Sequence, residues 1–151
     1  MRISAKADYA VRAAAEMAAA GDEPVKGEKL AEAQDIPLQF LEHIMLELKH
    51  ARLVRARRGA RGGYWLARAP ETITLADVIR AVEGPLANIQ DSAPEETHYP
   101  GPAEPLRDVW VAVRANLRAV LETVTLADLI SGELPKPVAQ LIADPDAWHV
   151  R

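Results

Sequence analysis

The chain contains no cysteine, which removes disulfides, thiolate metal sites, cysteine nucleophiles and thiol redox switches from the chemistry open to it. Aromatic residues are scarce as well: three Trp, three Tyr and one Phe in 151 residues. With so few rings, a core must be filled by aliphatic side chains and alanine, a mix that favours helices packed at close range. The first twenty residues are interrupted by Arg2, Lys6, Asp8, Arg12 and Glu16, so they suit neither a secretory h-region nor a membrane span. A cytoplasmic protein without a membrane partner is expected. Catalytic signatures are also missing. No nucleophile has a placed base, no glycine-rich phosphate loop opens a helix, and no metal-ligand spacing occurs. The chain is not expected to be an enzyme.

What is present is charge, unevenly placed. A formal net charge of −4, taken globally, opposes attraction to nucleic-acid phosphates. The local picture is the reverse. From Leu41 to Arg68, Lys49, Arg52, Arg55, Arg57, Arg58, Arg61 and Arg68 face only Glu42 and Glu47, a local charge of +5 that leaves −9 for the rest of the chain.

Periodicity supplies the framework. Ser4 is placed to cap a helix over residues 5–20, whose inner positions are Ala7, Ala10, Val11, Ala14, Met17 and Ala18, with Gly21 as its stop. A short second helix over 27–34 turns Leu30, Ala31 and Ala33 inward. Pro37 suits the first turn of a third helix reaching about residue 51, with Phe40, Leu41, Ile44 and Leu48 as its buried stripe and Met45 beside them. Two helices joined by a tight turn form a helix-turn-helix. Strands follow at 53–57 and 63–67, and the Arg-Gly-Ala-Arg-Gly segment between them is a basic hairpin tip. Thr74 opens a fourth helix over 75–83, with Val78, Ile79 and Val82 inside.

Residues 86–105 are rich in Pro, Glu, Ser and Thr and show little period. Beyond them, 104–124 is strongly helical, with Leu106, Val109, Trp110, Val113, Leu117, Val120 and Leu121 on one face. The preceding helices are too few to cover that face, and a second copy of the same helix is the simplest cover. Thr125 caps one more short helix, and the tail after Gly132, with Pro135, Pro137 and Pro145, offers no predicted element. The expected fold is mostly α. A winged helix-turn-helix DNA-binding domain with a two-stranded β wing occupies 1–85. A loop over 86–103 leads to dimerisation helices over 104–131, and 132–151 is a tail.

In such a fold the third helix enters the major groove and the wing lies at or beside the minor groove. Gln39 suits adenine or guanine edges, Glu42 can accept from cytosine N4, His43 shares their face, and Lys49 is placed for phosphate. Arg57, Arg58 and Arg61, beside three glycines, exceed what a soluble turn requires. The expected partners are double-stranded DNA and a second copy of the chain, with repression of a palindromic operator as the expected action. A protein-interaction module that retains the winged helix for docking is the alternative, and the wing arginines count against it.

Specific motifs support this reading. Met1-Arg2-Ile3-Ser4 leads into Asp8-Tyr9-Ala10; Ile36-Pro37 precedes Phe40-Leu41 and Leu48; Leu53-Val54 follows. Arg58-Gly59 is followed by Gly62-Gly63-Tyr64 and Leu66-Ala67, then Ile73-Thr74-Leu75, Val78-Ile79, Val82-Glu83-Gly84 and Val124-Thr125-Leu126-Ala127-Asp128-Leu129. In these features the chain resembles the Rrf2 (BadM-type) winged-helix regulators over most of its length. The resemblance implies a dimer joined through the long penultimate helix and DNA contacts at Gln39, Glu42, Lys49 and Arg58. Cluster-binding members carry three cysteines in the loop matching 86–105, and this chain has none. Asp8 matches a non-cysteine ligand position of some such members and His98 lies in the loop, but two such groups do not replace thiolates around an iron-sulfur cluster. No cluster and no other metal is therefore expected, and a small-molecule effector is left open.

Overall fold

The computed structural model describes residues 1–151. In chain order its elements are α1 (Ala5–Ala20), α2 (Gly27–Gln34), α3 (Leu38–His50), β1 (Val54–Arg57), β2 (Gly63–Leu66), α4 (Leu75–Glu83), α5 (Leu106–Leu121), α6 (Leu126–Ser131) and α7 (Lys136–Ile142). Short 3-10 turns lie at Pro70–Thr72, Pro94–Glu96, Gly101–Ala103 and Pro145–Trp148.

The Ser4 hydroxyl accepts from the Ala7 amide at 3.0 Å and so starts α1. Ala7, Ala10, Ala13, Ala14, Met17 and Ala18 are all buried. Because five of those six side chains are single methyls, α2, α3, α4 and α6 all reach α1 closely. The turn between α2 and α3 rests on Asp35, which adopts a left-handed conformation (φ 51°) that Asp tolerates. The Ile36 amide then donates to the Ala31 carbonyl at 2.9 Å, closing the helix end. From α1, the Arg12 guanidinium donates to the Gln34 carbonyl at 2.7 Å and pairs with Asp8 at 3.0 Å.

The buried stripe of α3 is Leu41, Ile44, Met45 and Leu48. Phe40, expected in that stripe, is 43% exposed. It stands at the stripe's flank with its ring edge-on to Tyr9, centroids 5.5 Å apart. Ala33 of α2 is likewise exposed rather than inward, since the short helix buries only Leu30 and Ala31.

Strands β1 and β2 pair antiparallel from Val54 opposite Leu66 to Arg57 opposite Gly63. Val25, in the loop before α2, adds a one-residue bridge to Tyr64, with amide–carbonyl bonds of 2.8 Å in both directions. Two glycines permit this arrangement. A Cβ on Gly62 would stand 2.0 Å from the Arg57 carbonyl oxygen, and one on Gly63 (φ 148°) would stand 2.7 Å from that of Val25.

The segments 72–79 and 123–130 are near-copies, Thr-Ile-Thr-Leu-Ala-Asp-Val-Ile and Thr-Val-Thr-Leu-Ala-Asp-Leu-Ile. Each forms a capping box, Thr74 with Asp77 and Thr125 with Asp128. The two boxes meet: the Leu75 amide donates to the Val124 carbonyl and the Leu126 amide to the Ile73 carbonyl, both at 3.0 Å. Leu126 is fully buried in the same core as Met17, Leu41 and Ile73. Helix α6, expected among the dimerisation helices over 104–131, thus packs into the DNA-binding head. Helix α5 runs between the loop and this anchor as a strap, and none of its residues is buried. It is shorter at both ends than the expected 104–124.

In the tail, for which no element was expected, α7 buries Val138, and the Trp148 indole donates to the Ile142 carbonyl at 2.7 Å.

Candidate nucleic-acid interface

With its apolar stripe turned inward, α3 presents Gln39, Glu42, His43, Leu46, Lys49 and His50 to solvent. These positions recur at three- and four-residue steps and define one outer face. Glu47 lies at its border, where Lys6 of α1 approaches its carboxylate at 2.7 Å and His43 at 3.8 Å. The acidic group at the edge of this face is therefore already paired from within the head, while Glu42 on the face itself has no ion-pair partner. The second Glu47 oxygen is buried without a hydrogen-bond partner.

The wing tip is fixed by its own main chain. The Arg57 guanidinium donates to the Arg61 carbonyl at 3.2 Å, and the Lys26 ammonium donates to the Gly59 carbonyl. Gly59 has φ 103°, a conformation that favours glycine. Arg57, Arg58 and Arg61 are all exposed. None of Lys49, Arg52, Arg55, Arg57, Arg58 and Arg61 enters an ion pair within the chain. Most of the basic block identified from sequence is thus uncompensated charge, which attracts phosphate. The structure brings the wing arginines together at one tip and the α3 residues onto one face.

Sequence reasoning missed Lys26 and Lys29. They line an open cleft of about 900 Å³ together with Arg57, Ala60, Arg61 and Gly62. Their signal was present as two lysines flanking Gly27-Glu28, but only the Val25–Tyr64 bridge places them beside the wing.

The residues expected at a dimer contact lie along α5. Leu106, Trp110, Val113, Leu117, Val120 and Leu121 are half-buried in the single chain, and Val109 is 50% exposed. The loop packs Pro94 against α5, and Arg114 pairs with Glu95 at 2.6 Å. A hydrogen bond from the main-chain amide of Glu95, and then the Arg114 guanidinium, hold the Glu95 carboxyl below its ordinary pKa. The Trp110 indole N–H is buried without an acceptor.

No three His, Asp or Glu side chains are grouped to hold a metal ion. Asp8 is engaged by Arg12, and the exposed His98 ring contacts the Glu96 carbonyl at 3.1 Å. No helix is long and apolar enough to cross a membrane.

A helix-turn-helix followed by a basic two-stranded wing defines a winged-helix DNA-binding head. Residues 3–132 match the Rrf2 family, described as iron-dependent transcriptional regulators. A protein of Mycobacterium tuberculosis (strain H37Rv) assigned to the HTH-type transcriptional regulators is 52% identical over 145 residues, covering 95% of this chain and 90% of the relative. The HTH-type transcriptional regulator CymR of Bacillus subtilis is 35% identical over 87% of this chain and 91% of its own. Among solved structures, CymR, the global cysteine regulator of B. subtilis, superposes with a TM-score of 0.74 at 32% identity, over 87% of this chain and 98% of that one. T. potens IscR superposes with a TM-score of 0.67 at 29% identity, over 100% of this chain and 93% of that one. The chain belongs to the Rrf2 family of winged-helix transcriptional regulators. It is a DNA-binding regulator and not an enzyme.

Proposed function

We propose that this protein is a cytoplasmic repressor that binds a palindromic operator as a homodimer. Helix α3 enters the major groove with Gln39, Glu42 and His43 toward base edges and Lys49 toward phosphate, while Arg57, Arg58 and Arg61 hold the wing at the adjacent minor groove. The observation that carries the dimer is α5: sixteen residues with a continuous apolar face and not one buried position in the single chain. A second copy laid along that helix buries the face and sets two heads at a fixed distance, which a palindromic site requires.

The signal on this reading is not an iron-sulfur cluster, although the family description names iron. What supports this is the donor set: the chain has no thiolate, and no group of His, Asp and Glu side chains replaces one. An effector of other chemistry would act by favouring one of two spacings of the heads, and the 86–103 loop against α5 is where it would do so.

Sedimentation equilibrium combined with titration of labelled duplex tests the reading. Two chains per duplex, and a dimer at micromolar concentration without DNA, are expected; a monomer that binds duplex one to one overturns the dimeric operator complex.

A further inference from the structure

We infer that the cleft between the wing and the start of α2 is a second phosphate-binding surface, in which Lys26 and Lys29 join Arg57 and Arg61 to hold the DNA backbone beside the stretch that α3 enters. The inference rests on the DNA-binding reading above and widens its footprint.

Three observations carry it. First, the cleft's four cations are unspent. None of Lys26, Lys29, Arg57 and Arg61 forms an ion pair within the chain. Of the two acidic residues lining the same cleft, Glu16 accepts a hydrogen bond from the Gln34 side-chain amide, and Glu23 is an exposed loop residue. The lining therefore carries two positive charges in excess.

Second, the cleft is pre-organised rather than formed by free side chains. The Lys26 ammonium is tied to the Gly59 carbonyl at the wing tip, Arg57 to the Arg61 carbonyl, and Val25 to Tyr64 through the main chain. An ammonium has three donors, so Lys26 keeps two for a phosphate oxygen.

Third, the start of α2, which lines the cleft through Lys26, adjoins the start of α3. A Cβ on Gly27 would lie 3.5 Å from the Tyr64 ring and 4.0 Å from Leu38, the first residue of α3. The start of α2, the wing strand and the start of α3 therefore meet at one point, next to Gln39. In helix-turn-helix proteins the first helix of the pair crosses the backbone while the second lies in the groove, and the placement of Lys26 and Lys29 puts cations where that backbone would run. A phosphate is the fitting occupant because the lining is rich in charged side chains and carries a net positive charge.

The test compares wild type with Lys26→Gln/Lys29→Gln by fluorescence anisotropy over a salt series. Two labelled duplexes are used: one of random sequence, and one enriched from a random library by the wild-type protein. Each lost phosphate contact flattens the slope of log K against log salt by about 0.9. The double variant is expected to show a slope shallower by roughly two and equal proportional losses on both duplexes, with discrimination between them retained. Lys29→Glu alone, at an exposed side chain without a hydrogen bond, is expected to lower affinity for both duplexes while leaving the thermal midpoint in place. An unchanged slope in the double variant, with wild type binding normally, overturns the cleft and leaves the α3 reading intact. A loss confined to the enriched duplex also overturns it, because that is base reading and not phosphate contact. Wild type that binds neither duplex at low salt overturns both readings.

Discussion

Arg58 stands at the wing tip with no partner inside the chain, so its charge is available in full to a phosphate or a narrow minor groove. Arg58→Ala is expected to weaken binding to all duplexes alike and to reduce the salt slope by about one, as measured by anisotropy. Gly62 has the opposite character, since its role lies in what it lacks. With a Cβ 2.0 Å from the Arg57 carbonyl oxygen, Gly62→Ala forces the wing turn apart and is expected to cost more than about 1 kcal/mol in urea denaturation. DNA affinity falls with it. The same reasoning shows why the wing was legible at the residue scale. Gly59, Gly62 and Gly63 flank arginines in a segment too short for anything but a turn, and both kinds of residue declare themselves by type. Phe40 was less legible: a lone Phe next to Leu41 looks like core by hydropathy, but the core of α3 takes only one stripe. The ring instead joins Tyr9, over which the Arg12 guanidinium sits at 4.7 Å.

At the scale of elements, the twin capping boxes of α4 and α6 make a firm joint at the far end of α5. Thr74→Ala and Thr125→Ala are each expected to lose about 1 kcal/mol of stability. Because the two caps share main-chain bonds, the double variant is expected to depart from the sum, and chemical denaturation of the four proteins measures it. Each box was visible in the sequence as a helix start; that they pair with each other was not, because an antiparallel bridge between residues so far apart leaves no local pattern. The loop before α5 is tied to the middle of that helix by the Glu95–Arg114 pair. Glu95 has a lowered pKa in the folded chain, so its stabilisation is present above the ordinary glutamate range and is lost as pH falls below it. Wild type should therefore show lower amide protection in 86–103, with rates taken relative to the intrinsic rate at each pH, under such acidic conditions, whereas Glu95→Gln should show the lower protection already at neutral pH and no further loss in acid. Helix α7 escaped detection for a related reason: seven residues with Pro137 in the first turn carry too short a period to stand out, and its end is secured by the Trp148 indole rather than by a capping signal.

For the whole molecule, the strap geometry of α5 links dimer formation to DNA reading. Val109 is half exposed in the single chain, so Val109→Asp leaves the head folded, but in a dimer it places an unpaired carboxylate in an apolar contact at a cost of about 3–5 kcal/mol. A monomer by light scattering, with unchanged far-UV circular dichroism and much weaker DNA binding, is the expected result. The charge division between a basic α3–wing block and an acidic remainder, plain in the sequence, fits a molecule that approaches DNA by one side only. The absence of thiolates predicts that protein purified anaerobically from iron-replete cells is colourless and carries no stoichiometric iron, by absorbance and metal analysis. Each of these results bears on one part of the molecule. Selection of bound duplexes from a random library, followed by sequencing, tests the whole: two inverted half-sites whose centres are separated by about 10 base pairs or a multiple of that are predicted, and enrichment of a single unsymmetrical site, or of no sequence at all, would contradict a dimeric, sequence-reading winged helix.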